Sequence, residues 1–418
     1  MKTQQIFSAD ATTILDLQHQ GEISIAQLKH VPINSLEFIS VHTAFNQNKI
    51  KVEEVSESGN VNELLVSNLC NEYIFIMDGD ILQGAKQNRV SNTSIYMAPN
   101  KKFFIPVSCV EQGRWNYDSE SFSPSDELVN RKIRAEKSRD IYRNKNRKHS
   151  REKHQASQSR VWDNVMSCMM ETDTSSRTQS YSDINRTKRR DYSKMIEKLK
   201  INNLANGLAY FIGGKLTGVE IFNRTDVYQD YFQKLLYAIA MDTEIKLKKR
   251  FMKEEWALEM QEADTLIKET ISDYDNHQND IDVCDGVCLG KEHRLQTAEE
   301  MYYDLSFDEQ TIHQSILVFE KEDVDRGRRD RFNPTPIHPV NPEEASRRVS
   351  EVLGQLREDS DNELRDREQR RRDAEENINN ERLLNLKEED AEKDSYRDSF
   401  FTRIKNFLSN KKAENERG

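Results

Sequence analysis

Long apolar runs are missing from this chain. No stretch approaches eighteen apolar residues, so no transmembrane helix is expected. The N-terminus, "MKTQQIFSADATT", has no apolar leader core, and a secretory signal is not expected there. Cysteine is scarce. Cys70, Cys109, Cys168, Cys284 and Cys288 make an odd, scattered five, which does not fit a disulfide framework. These absences lead to the expectation of a reduced, cytoplasmic protein. Positive charge is not in excess either: 62 Lys and Arg face 73 Asp and Glu, for a net charge of −11. Nucleic acid is therefore an unlikely partner, because phosphate neutralisation needs surplus Lys and Arg.

What is present is polar. Hydrophobic residues make up 35% and charged residues 32% of the 418 positions, and mean hydropathy is −0.87. The length suffices for a sizeable core, but so polar a composition implies that part of the chain is not packed. Residues 31 to 115 read as β-rich. "LEFISVHTAF", "KIKVEEVS", "VNELLVSN", "EYIFIMDGD", "VSNTSIYMAP" and "KKFFIPVSCV" are short, alternating or β-branched, and separated by Gly, Asn or Pro. Such spacing suggests a sandwich or a barrel-like sheet.

Residues 126 to 200 change character. The segment up to Gln155 is basic and helix-prone, and Val161, Trp162, Val165, Met166 and Met169 fall on helical spacing. "ETDTSSRTQSYSD" reads as a loop before another helix ending near Lys200. "NGLAYFIGGKLTGVEIFN", 206 to 223, is a hairpin turning at Gly213-Gly214. Residues 226 to 272 read as helical, with Tyr231, Leu235, Leu236 and Ile239 as the core stripe, and "HQSILVFE" as a last strand.

The expected fold class is α+β: a β-rich N-terminal sheet or sandwich with inserted helices, then a charged helical or disordered tail. The expected bounds are a globular part over 1–332, a Pro-rich linker over 333–342 ("NPTPIHPVNP") and the tail over 343–418. Near the tail's end, Phe400, Phe401, Ile404, Phe407 and Leu408 share one helical face. That face suits docking on the body, on a second copy as a homo-oligomer, on a protein partner, or on a membrane surface.

Two segments carry candidate chemistry. "GDILQGAKQNRV" sets Lys86, Gln87, Asn88 and Arg89 in one Gly-containing turn, a donor-rich arrangement that suits an anion. Neither G-x-x-x-x-G-K-[ST] nor G-x-G-x-x-G fits it. A polar bulge between paired strands is the alternative. "IPVSCVEQGRWNY" holds Cys109, Glu111, Arg114 and Trp115 within seven positions. On a strand, Cys109 and Glu111 share a face. Arg binds phosphate or carboxylate as a fork, an indole stacks on a base, and a buried Glu can serve as a general base. A structural ion pair pinning a turn, beside a buried thiol, is the competing reading. A thiol-dependent reaction at Cys109 would need a base, and His313 and His42 are the distant choices. "CDGVC" offers one C-x3-C pair, which His293 does not complete as a zinc set. No metal and no cofactor is expected.

The runs "GDILQGAKQNRV", "IPVSCVEQGRW", "SQSRVWDNV", "SSRT", "GVEIF" and "HQSILVF", in this order, resemble the ARG-and-rhodanese-phosphatase-superfamily-associated protein family, a domain of otherwise unknown function. The resemblance covers roughly residues 20 to 325 and leaves out the tail. One departure is Gly79-Asp80, where the family pattern would have Gly-Glu. The family's name records association with ADP-ribosylglycohydrolases and rhodanese-like phosphatases. It implies a setting near NAD and ADP-ribose, as context rather than chemistry. Carried over by position, the implied site residues are Gly84, Gln87, Asn88 and Arg89, then Cys109, Glu111, Gly113, Arg114 and Trp115, then Trp162, Ser175, Thr178 and His313. The expectation is binding or processing of an ADP-ribose-like or NAD-like nucleotide. Arg89 and Arg114 would hold the pyrophosphate, Trp115 would stack on adenine, and Glu111 would be the base. The alternative is a non-catalytic scaffold that assembles through its tail.

Overall fold

The hairpin "GLAYFIGGKLTGVEIF" organises the main sheet, because both of its faces are apolar. A computed structural model describes residues 7–56, 60–144, 146, 153–249 and 258–319. The linker over 333–342 and the tail over 343–418, with its amphipathic stretch, lie outside the described residues. In chain order the elements begin with β1 (Thr12–Gln20), β2 (Ile23–His30), β3 (Phe38–Ser40), α1 (Val41–Asn46), β4 (Ile50–Glu54), β5 (Glu63–Asn68) and β6 (Tyr73–Ile76). Next come β7 (Asp80–Gly84), β8 (Arg89–Ser91), β9 (Ile95–Met97), β10 (Lys102–Cys109) and β11 (Phe122–Leu128). Three helices follow: α2 (Arg131–Arg143), α3 (Gln158–Glu171) and α4 (Tyr181–Ile196). After β12 (Gly207–Ile212) and β13 (Lys215–Phe222) come α5 (Thr225–Lys249) and α6 (Met260–Asp273). The last strands are β14 (Asp282–Asp285), β15 (Lys291–Gln296), β16 (Glu300–Phe307) and β17 (Gln310–Val318). The fold is α+β, as the sequence indicates.

The strands form three assemblies. An eight-stranded antiparallel sheet runs β1-β2-β12-β13-β17-β16-β15-β14, a closed barrel runs β10-β5-β4-β11-β7-β8, and β3-β6-β9 make a small third sheet. Along β12, Leu208 and Tyr210 join one core cluster while Ala209 and Phe211 join another. Burying a side chain the size of Leu208 or Phe211 contributes about 1.5–3 kcal/mol. Tyr231, Leu235, Leu236 and Ile239 of α5 fill the first cluster, and Ala263, Ile267 and Ile271 of α6 fill the second. Gly213 and Gly214 turn the hairpin at φ +58° and +70°, values that glycine adopts without strain. The barrel has its own core, with Val52, Leu64, Val66, Leu82, Ile105, Val107 and Phe122.

Two sequence expectations need correction. "VHTAF" is helical rather than extended, because Ser40 caps α1 by accepting from Thr43 N (3.1 Å). "DEL" belongs to β11 rather than to a helix. The stretch 226–272, read as helical, holds α5 and α6 among its described residues. Among the described residues no helix is long and apolar enough to cross a membrane.

Candidate functional site

The two sequence signatures are adjacent strands of the barrel. β8 pairs with β10 so that Arg89 lies opposite Cys109 and Val90 opposite Ser108. The first signature is the β7–β8 hairpin. Its turn needs Gly84 at φ +115°, where a Cβ would fall 2.3 Å from Ser119 Oγ and 2.8 Å from Ser121 O. Asn88 then knits the turn. Its Oδ1 accepts from Gly84 N (3.2 Å) and Arg114 Nη2 (3.1 Å), and its backbone N donates to Glu111 Oε2 (3.2 Å).

Glu111 is buried and multiply bonded. Thr178 Oγ1 donates to its Oε1 (2.9 Å), and Arg114 Nη2 stands 2.7 Å from its Oε2. Arg114 also donates to the carbonyls of Ala85 (2.7 Å), Asn116 (3.1 Å) and Gly84 (3.4 Å). The guanidinium therefore ties the second signature to the first. The "SSRT" loop closes on the same turn. Gly113 N donates to Thr178 O (2.8 Å), and a Cβ on Gly113 would stand 3.0 Å from Thr178 Cα. Ser175, in the same loop, is exposed.

Cys109 ends β10 and is fully buried. Its thiol donates to Glu111 O (3.1 Å). Burial pushes the thiol above its ordinary value, against the opposing pull of that bond, Arg89 and Trp162. Gln158, at the start of α3, clamps this end of the strand: its Oε1 accepts from Cys109 N and its Nε2 donates to Cys109 O, both at 2.8 Å. The "SQSRVWDNV" run thus brings Gln158 and Trp162 to the second signature.

Arg89 points into the barrel with a fully buried side chain, and Glu54 of β4 faces it at 3.8 Å with 4% of its side chain exposed. Arg89 Nη1 donates to Gln87 Oε1 (2.8 Å). Arg89 Nε and Nη2 and both Glu54 carboxylate oxygens have no hydrogen-bond partner among the described residues. Native interiors seldom leave such groups unsatisfied. Above Arg89 lies the Trp115 ring, 5.6 Å from its Cζ. Lys86 Nζ stands 5.5 Å from the Trp115 ring and 5.1 Å from the Tyr117 ring. Trp115 and Tyr117 are half exposed, so the rings meet solvent while Lys86 and Arg89 stay buried.

His313 is elsewhere. It is buried in β17, with Nε2 3.0 Å from Glu220 Oε2 and Nδ1 3.0 Å from Ser94 Oγ. None of its described contacts is with Cys109 or Glu111. It belongs to a buried ionic network that sequence reasoning missed. Arg134 of α2 forks onto Glu220 (2.5 and 3.2 Å) and reaches Asp78 (3.4 Å), and Lys137 meets Asp78 at 2.8 Å. Burial alone would lower the Arg134 pKa, but Glu220 and Asp78 more than offset it and the value rises. Burial would likewise raise Glu220, yet Arg134 and His313 hold it below the ordinary carboxylate value. Gly79 makes room for this network, since a Cβ there would fall 2.8 Å from Arg134 Cδ. The available signal was a charged residue inside the apolar "GVEIF" strand.

Next to it, Asp80 is satisfied by Lys234 Nζ and Tyr231 OH, both at 2.5 Å. The Asp80 carboxylate is therefore fully engaged. The joined signatures, with Glu54 added, form a donor-rich and acceptor-rich patch under an aromatic cover. No curated protein and no solved structure matches the chain. The family model described as the ARG and Rhodanese-Phosphatase-superfamily-associated Protein domain matches residues 11–317, the range that holds both signatures and all three strand assemblies, and the chain belongs to that family.

Proposed function

We propose that the protein binds a nucleotide of the ADP-ribose or NAD type at the joined signatures. The observation that carries this reading is the Arg89–Glu54 pair. It leaves two buried donors and two buried acceptors unmet among the described residues, beneath Trp115 and Lys86. A ligand that answers both needs phosphate oxygens for Arg89 and hydroxyls for Glu54, and a ribose phosphate offers both. Trp115 supplies a face for the base, with stacking of this kind contributing about 1–3 kcal/mol. Lys86 adds a second, buried cation against the Trp115 and Tyr117 rings. Gln87, Asn88 and Gly84 shape the turn. Arg114, committed to Glu111 and three carbonyls, acts as a positioning residue rather than a phosphate clamp. Where turnover occurs, Glu111 is the candidate base, and Cys109 lines the floor. The family's association with ARG proteins supports the substrate class, and five unpaired cysteines support a reducing, cytoplasmic setting.

Calorimetric titration of the full chain with ADP-ribose, NAD and AMP tests the reading. Binding is expected, and Trp115→Ala, a change at a half-exposed position, should weaken it at least tenfold. No heat at millimolar nucleotide, or unchanged affinity in both Trp115→Ala and Lys86→Ala, overturns it.

A further inference from the structure

A second constellation lies away from the signatures, where β14 and β15 pair. Cys284 and Glu292 are register partners across that hairpin, so their side chains share one face of the sheet. His154, from the segment before α3, comes over the same face. One ligand atom from each of His154, Cys284 and Glu292 lies within 4.8 Å of the others. His154 Nε2 stands 3.2 Å from Glu292 Oε1, with both side chains almost wholly buried.

The outer contacts hold these groups in place. Thr93 Oγ1 donates to Glu292 Oε1 (3.1 Å), and Arg294 Nη2 donates to Oε2 (2.9 Å). Arg294 is itself held by Ser138 Oγ and Thr93 Oγ1, both at 2.6 Å. Asn92 Nδ2 donates to the His154 carbonyl (3.2 Å). Arg294 thus occupies one carboxylate oxygen and turns the other toward His154. Of the three, His154 also lines a cavity of about 330 Å³, with Glu63, Lys102, Phe104 and Val287 among others. The second cysteine of "CDGVC" takes no part: Cys288 packs against the barrel core.

We propose that His154, Cys284 and Glu292 form a three-ligand site for a divalent transition metal of the zinc type, with a fourth position left for an exogenous ligand. A nitrogen, a sulphur and one carboxylate oxygen is a donor set that such ions accept, and three protein ligands plus an open position is the arrangement of reactive zinc. Ligand atoms around a tetrahedral zinc stand about 3.3–3.8 Å apart, so closing the set needs side-chain shifts of about 1 Å. The buried hydrogen bonds to Glu292 and to the His154 backbone do the orienting that metal ligands require.

Titration of the metal-free full chain with Co²⁺, followed by absorbance, tests this. One equivalent should produce a near-ultraviolet thiolate-to-cobalt band together with tetrahedral d–d bands. Cys284→Ser should abolish the thiolate band, Cys288→Ser should leave it, and His154→Gln should weaken binding at least tenfold. Should His154→Gln fail to fold, Cys284→Ser decides, because Cys284 sits on the edge strand of the sheet. Absence of a thiolate band in the unaltered chain, or a band that survives Cys284→Ser, overturns the proposal.

Discussion

Arg89 and Glu54 approach to 3.8 Å inside the barrel, too far for a hydrogen bond and too near to be independent. Removing one member strands the other charge in the interior, which costs about 3–5 kcal/mol. Arg89→Met alone should lower unfolding stability by that amount in urea titration. The double change Arg89→Met with Glu54→Leu should recover most of the loss. Equal losses in the single and double variants would show that the two charges are not coupled.

Gly84 holds the first signature at φ +115° against Ser119 and Ser121. Gly84→Ala should cost about 2 kcal/mol or more, from the strained backbone and the collision together. Adding Ser119→Ala should not restore stability, because the Ser121 carbonyl and the dihedral remain. Thermal melts of the two variants check this, and full rescue by Ser119→Ala would contradict it.

His30 supplies a pH dependence. Burial lowers its pKa from 6.5 to about 4, against a smaller opposing pull from Asp304. The unfolded chain therefore binds a proton in a window where the folded chain does not. Stability from this group is complete above pH 6.5 and is lost as pH falls toward 4. The loss reaches about 3 kcal/mol, at 1.36 kcal/mol per unit. The difference between unfolding curves of the unaltered chain and His30→Gln, measured from pH 7 to 4, should show this slope. A flat difference would remove His30 as its source.

Cys109 is buried with its thiol pKa raised, and so is Cys168. Both should react with iodoacetamide at least tenfold more slowly than the partly exposed Cys70 and Cys284. Peptide mapping after timed alkylation measures the order. Preferential labelling of Cys109 would instead favour thiol chemistry at the second signature.

What the sequence made legible was local. The hairpin at Gly213-Gly214 was readable because alternation and turn chemistry both lie within a few residues. Val161, Val165 and Met169 of α3 were readable from their spacing, whereas Met166 is exposed and Cys168 is buried with them; β17 was readable from its apolar run. "VHTAF" misled because apolar β-branched and aromatic residues mimic a strand, while the deciding capping bond belongs to Ser40. β1, β14 and β15 carry polar residues on partly exposed faces, and β2 and β16 bury polar residues such as Gln27 and Asp304, so these strands gave little periodic signal. Of the candidate site, the two signatures were readable as separate segments, and the pairing of Arg89 with Cys109 that joins them comes from the fold. Glu54 was invisible because it meets Arg89 only through barrel closure. The Arg134–Glu220 fork joins residues 86 positions apart, and Arg134, Lys137 and Ser138 read as a solvated basic helix until the fold turns them inward.

β17 lies between β13 and β16 in the main sheet, although it is the last described strand in the chain. It therefore joins β1-β2-β12-β13 to β16-β15-β14. A nascent chain still short of Gln310 holds these as two unjoined half-sheets, with the hydrogen-bonding edges of β13 and β16 both bare. Completion of the sheet must wait for the ribosome to release residue 318, and until then those edges are open to pairing with other chains.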